Sequence, residues 1–163
     1  MPTVSNTSPI SNLAWIGRLN LLLDQFHEVW IPGAVETELQ NVPEPTVRKA
    51  VDEARHAGWL KSRAVSDAAL VSLLTVELHP GEAEAIALAL EMKAGRLLID
   101  EREGRSMARQ LGLALTGVLG VLLRAKKKGQ IKAVKPEIDA LRSRARFFIA
   151  PGLEAAILKE ARE

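Results

Sequence analysis

The stretch Leu97-Leu98-Ile99-Asp100-Glu101-Arg102-Glu103 decides the fold. Three apolar residues run straight into carboxylates, where a strand should give way to a helix. A strand apolar at every position has no face for water, so it belongs inside a parallel sheet covered on both sides. Acids at the carboxyl end of such a strand fall in the crevice where open α/β sheets bind ligands. Asp100 is therefore the first candidate for chemistry. The ordinary alternative is a capping box formed by Asp100 and Glu103 at a helix start.

Working upstream, Pro80-Gly81-Glu82-Ala83-Glu84 opens a helix that runs to about Lys93 and ends at Gly95. Downstream, a helix over 101–110 leads to a strand at Leu113–Thr116 and a helix from Gly117 to Lys128, closed by Gly129. This β-α-β-α alternation predicts a parallel sheet with helices on both faces. The amino-terminal part adds a strand at Pro2–Ser5, helices at Ser8–Gly17 and Leu19–Phe26, a strand at Val29–Ile31 stopped by Pro32, helices at Gly33–Leu39 and Thr46–His56, and a strand at Trp59–Val65. Ser8 before Pro9 reads as an N-cap with proline at the first helical position. Helices over 136–146 and 151–162 complete the chain, with Phe147-Phe148-Ile149 between them as a short strand or core plug.

The length of 163 residues suits one domain spanning 1–163. With no cysteine, disulfides are excluded and a reducing cytoplasm is permitted. The apolar uncharged stretch Leu111 to Leu123 falls short of the roughly 17 to 25 residues that cross a bilayer. The start Met1-Pro2-Thr3 carries no signal-peptide pattern, so the expected location is cytoplasmic.

The net charge of +2 hides a segregation. Residues 102–146 hold twelve Lys or Arg against three acids, whereas residues 1–101 hold eight against fourteen. That division suits a polyanion gripped by cations while its phosphates approach a metal held by carboxylates; solvated helix faces are the plainer explanation of the lysines.

Phosphodiester hydrolysis needs an activated water and a neutralised leaving oxygen, both of which Mg²⁺ or Mn²⁺ supplies when a few carboxylates hold it. The candidate ligands are Glu38, Glu82 or Glu84, and Asp100 with Glu101, and Asn6 would complete the set from the first strand. Acids in a helix first turn also serve the macrodipole, and neighbours two apart on a helix face different ways, so one of Glu82 and Glu84 enters a shared site. The scattered His27, His56 and His79 exclude a zinc pattern, and neither a phosphate-binding glycine loop nor a nucleophile elbow is present.

Several segments in order, Val4-Ser5-Asn6-Thr7-Ser8-Pro9-Ile10, Ile31-Pro32-Gly33-Ala34-Val35-Glu36-Thr37-Glu38-Leu39, His79 through Leu88, Leu98 through Arg105 and Thr116 through Arg124, resemble the PIN-domain-like proteins of prokaryotes. The resemblance extends to a branch described as predicted nucleic acid-binding and to VapC-like toxins. It implies a three-layer α/β/α fold around a mainly parallel sheet, and a Mg²⁺- or Mn²⁺-dependent nuclease, expected to act on RNA. By this resemblance the site residues are Asn6, Glu38, Glu84 and Asp100, with Glu101 assisting at the metal. Asn6 stands where active members carry aspartate, which removes one negative charge and makes a catalytically weakened binding module the alternative. Thr116, Arg102, Arg105 and Arg124 are the expected substrate contacts, with Thr116 as a helix N-cap on the plainer reading. The resemblance further implies a toxin of a toxin-antitoxin pair, a homodimer and a small antitoxin protein. Trp15, Trp30 and Leu19 to Leu23 are the residues considered for such contacts, and core is their ordinary assignment.

Overall fold

The computed structural model describes residues 1–163. Five strands form one parallel sheet: β1 (Thr3–Ser5), β2 (Val29–Ile31), β3 (Leu60–Ser62), β4 (Arg96–Leu98) and β5 (Leu115–Thr116), in the order β3-β2-β1-β4-β5. β1 is central, pairing Val4 with Trp30 on one side and with Leu97 on the other. Strands are added outward from β1 to one edge through β2 and β3 and then to the other through β4 and β5, so the crevice beyond its carboxyl end is the switch point of the sheet.

The apolar run of β4 is explained by what lies on either face. Leu97 and Ile99 pack into one hydrophobic cluster and Leu98 into the other, and all three are fully buried. Burial of each contributes about 1.5–3 kcal/mol, so the strand cannot move to a sheet edge without a large loss. The Leu98 side is covered by α1 (Thr7–Trp15), α2 (Asn20–Phe26), α3 (Gly33–Gln40), α4 (Pro45–His56), α8 (Val118–Lys127) and α9 (Lys135–Arg144). The Leu97 side is covered by α5 (Ala68–Leu74), α6 (Pro80–Glu91) and α7 (Arg102–Gln110). The fold is thus α/β with three layers, as expected.

α10 (Pro151–Glu160) buries no residue of its own. It is tied down by charge: Glu154 meets Lys135 and Arg142, while Glu160 meets Lys127. Glu163, just beyond, meets Lys126 and accepts from the Val134 and Lys135 backbone N–H groups at the start of α9. Several cations of the basic segment are therefore spent on the protein itself.

Some elements differ from the sequence reading. β3 is three residues, not Trp59–Val65, because Arg63 and Ala64 turn outward into solvent. α5 was not anticipated from its short apolar sequence, which Asp67 caps by accepting from the Leu70 N–H. Phe147-Phe148-Ile149 forms no strand: Ile149 is buried, while Phe148 is 85% exposed. Trp15, Trp30 and Leu23 are partly buried against the two clusters, and Leu19, Leu21 and Leu22 are buried, so this region is core. No helix is long and apolar enough to cross a membrane.

Candidate functional site

β1 ends where α1 begins, and the three residues at that junction each turn toward an acid. Asn6, only 2% exposed, donates from Nδ2 to Glu101 Oε2 at 2.9 Å. The hydroxyl of Thr7 donates to Glu38 Oε2, and that of Ser8 donates to Glu101 Oε1. The helix starts at Thr7 with Asn6 as its N-cap residue, so Ser8 is not the cap, and its hydroxyl serves the site.

The acids come from three helices or their caps. Glu38 lies on α3, Glu82 in the first turn of α6, and Glu101 at the N-cap of α7. With Asn6, Thr7, His79 and Pro80 they line a cleft of about 320 Å³. Two glycines make the arrangement sterically feasible. A Cβ on Gly81 would collide with the Glu38 carboxylate, and one on Gly104 would stand 2.7 Å from Glu82 Oε2.

Glu82 occupies the N3 position after His79 and Pro80, where the His79 backbone N–H partly offsets the rise of its carboxyl pKa. A side chain at N3 turns back toward its own helix start, which here lies at the cleft. Burial raises its pKa, as does the neighbouring Glu101 charge, with a smaller push from Glu103. Two buried oxygens among the lining residues have no partner: Asn6 Oδ1 and Glu82 Oε2. Desolvated oxygens without donors, beside repelling carboxylates, call for a cation. No three acid or imidazole groups are drawn together into a finished metal cage.

Glu84 and Asp100 lie elsewhere. Glu84 Oε1 accepts from the Ala34 N–H at 3.1 Å, so it satisfies the start of α3 and does not line the cleft. Asp100 Oδ1 accepts from the Val118 N–H at 2.8 Å, at the start of α8, where the lack of a Cβ on Gly117 admits it. Burial lifts Asp100 to a pKa of about 6, opposed by the Val118 hydrogen bond and helped by Glu101. Asp100 is thus a buried cap, and it caps α8, not α7 as a box with Glu103 would require. Of the expected quartet, Asn6 and Glu38 line the cleft with Glu82 and Glu101, while Glu84 and Asp100 are engaged at the starts of α3 and α8, Asp100 Oδ2 remaining buried without a partner.

The two adjacent acids Asp100 and Glu101 part company just beyond β4. Leu97 and Ile99 face the α6 layer and Leu98 faces the α8 layer; beyond the strand Asp100 turns to the start of α8 and Glu101 to Asn6 and Ser8 at the β1–α1 junction. Of the expected substrate contacts, Arg102 is exposed at the start of α7. Arg105 is half-buried and donates to the Ile99 carbonyl at 2.8 Å. Arg124 lies over the Phe26 ring, and the Thr116 methyl packs toward Gly120, with Gly117 as the N-cap residue. None of these four lines the cleft, and His79 is its one side chain able to carry positive charge.

Comparison with known proteins decides the family. A family model described as DUF3368: PIN domain matches residues 2–163. The chain belongs to the PIN domain family. Among solved structures, this PIN domain is similar to a PilT N-terminus domain protein from the hyperthermophilic archaeon Sulfolobus solfataricus P2, with a TM-score of 0.53 and 19% identity over 77% of this chain and 93% of that one. At that identity the likeness concerns the fold. No curated protein shows significant sequence similarity to this PIN domain.

Proposed function

We propose that this PIN domain is a divalent-metal-dependent nuclease that hydrolyses RNA at the cleft between β1, α3, α6 and α7. The observation that carries the proposal is the convergence of Glu38, Glu82 and Glu101 with the buried, partnerless Oδ1 of Asn6 on one polar cleft. PIN domains are commonly metal-dependent nucleases, and the oxygen-only donor set fits a hard cation. Glu38, Glu82, Glu101 and Asn6 are the residues that would hold Mg²⁺ or Mn²⁺, which supplies an acidified water and charge neutralisation when bound. Thr7, Ser8 and the Asn6 amide hold the carboxylates in place. His79 in the cleft wall would meet phosphate oxygens.

The test is cleavage of a mixed single-stranded RNA in Mn²⁺. The parent should cut, while Glu82→Gln and Glu101→Gln should each lose at least about 100-fold. Undiminished cleavage in both variants would refute the assignment. A second reading, a binding module with little catalysis, is favoured by the neutral Asn6 and the absence of a finished cage; RNA binding without cleavage in either metal would establish it. The family resemblance alone supports a cytoplasmic toxin held by a small antitoxin protein. Growth arrest on expression, abolished by Glu101→Gln, is the corresponding check.

A further inference from the structure

The cleft leaves the basic half of the chain unexplained, since no lysine or arginine lines it. Most of those cations lie on α8, α9 and the turn between them, a surface nearly free of acids. α8 carries none, Glu137 of α9 turns onto Arg18, and Asp139 alone remains, paired with Lys135. α8 starts beside Asp100 and brings Lys127 about 13 Å further along its axis, so this surface is remote from the cleft. α10 lies across it as a strip of acids. Glu154 is held by Lys135 and Arg142, Glu160 by Lys127, and Glu163 by Lys126 together with the Val134 and Lys135 backbone N–H groups at 2.7 and 3.1 Å. All three acids of residues 151–163 are thus engaged, whereas its two bases, Lys159 and Arg162, are exposed and make no ion pair.

The hold on α10 is weak. Ala161 just beyond it is buried, but within the helix the apolar grip is the partial packing of Ile157 and Leu158, and Leu153 is 49% exposed. Surface ion pairs are individually feeble and screened by salt, and a helix of ten residues does not stand alone. The connection from α9 over 146–150 has no regular structure, and Arg146 enters it in the left-handed region at a φ of 54°. α10 therefore opens at far lower cost than the sheet core. Lifting it leaves two ready seats for oxyanions, Lys135 with Arg142 and Lys126 with the two N–H groups, and Lys127 besides. They follow one another along the helix that filled them, Glu154 and Glu160 being about 9 Å apart on its axis, an order that suits a linear chain of phosphates better than the plane of a bilayer. Phe148, 85% exposed in the connection, offers a ring on which a base can stack. We infer that α10 is a displaceable strap and that a single-stranded nucleic acid takes its place on α8 and α9, held through its phosphates. The inference is independent of cleavage at the distant cleft.

Binding of a fluorescent oligouridine to the full chain, read by anisotropy in EDTA so that cleavage plays no part, tests it. Glu154→Gln with Glu160→Gln frees the cations and should tighten binding about 10-fold. Lys128 and Lys132, in the turn between α8 and α9, are exposed and unpaired, so Lys128→Glu with Lys132→Glu should weaken binding about 10-fold while melting temperature holds. Hydrogen exchange of the unaltered chain reads the strap directly: backbone amides of residues 154–163 should exchange faster with the oligouridine bound than without it. Exchange there that is unchanged or slowed overturns the proposal, as does an affinity indifferent to both double variants. Tighter binding to phosphatidylserine vesicles than to the oligouridine would assign the surface to a bilayer and overturn it too.

Discussion

Asn6→Asp restores the aspartate that active members of the family carry, and the structure gives the change a cost. Asn6 Nδ2 donates to Glu101 Oε2 at 2.9 Å, and an aspartate of the same shape replaces that donor with a second anionic oxygen. Two unit charges 4 Å apart at an effective dielectric of 20 repel by about 4 kcal/mol, and the lost charge-assisted hydrogen bond removes about 1.5–3 kcal/mol more. Side-chain rotation and proton uptake relieve part of this, leaving about 2–4 kcal/mol. For a chain of this length that is a fall of roughly 5–15 °C in melting temperature. The sign with pH follows from linkage. Repulsion raises the proton affinity of the new carboxyl in the folded state above its unfolded value near 3.9, so the variant binds more protons folded than unfolded. Its deficit should therefore be small near pH 4 and grow as pH rises. Added Mn²⁺ should reverse the deficit and bind more tightly to the variant, which offers one more anionic ligand. Thermal unfolding from pH 4 to 8, with EDTA or with Mn²⁺, reads all of this. A variant as stable as its parent at pH 8 in EDTA would refute the proposed contact between Asn6 and Glu101.

Three further outcomes follow from the same geometry. Glu82 and Asp100 both have folded pKa values above their unfolded ones, Asp100 at about 6, so without divalent metal the parent should lose stability between about pH 4 and 6 and above; Glu82→Gln should flatten that slope in pH-dependent melts. Gly81→Ala pushes the Glu38 carboxylate off its seat while leaving the α6 backbone intact, so Mn²⁺ affinity by calorimetry should fall about 10-fold or more with only a small change in melting temperature. Glu84→Ala removes the acceptor at the start of α3, which should cost about 0.5–2 kcal/mol in chemical denaturation yet leave RNA cleavage at the parent level.

The architecture was legible because the pattern of β4 admits few alternatives. A strand apolar on both faces, followed by a helix and another short apolar run, requires a covered parallel sheet, and the observed order places it beside β1. Helix limits marked by proline and glycine were recovered closely at α6, whose assigned start at Pro80 is the observed one. The site was legible only to within one residue. Asp100 and Glu101 lie just beyond β4, and which of the two turns to the β1–α1 junction and which to the start of α8 is a property of the packed molecule. The Glu82 and Glu84 pair posed the same problem on a helix; the N3 position of Glu82 after Pro80 was the local clue, since that position turns a carboxylate back on its own helix start. Thr7 and Ser8 were missed as carboxylate donors because a hydroxyl beside a proline looks like a cap. Their partners, 31 and 93 residues away, become neighbours only after folding.

The glycine seats beneath Glu38 and Glu82 carry a consequence for the lifetime of the protein in the cell. They admit acids so closely that, without a counterion, the cleft is an electrostatic weak point whose opening relieves mutual repulsion. A bound divalent ion strengthens that point in proportion to the logarithm of its concentration over its dissociation constant. On the proposed metal-binding reading, availability of the ion would govern survival as well as turnover: metal-starved cells should digest this chain faster than replete ones, making protease sensitivity a gauge of occupancy that requires no substrate.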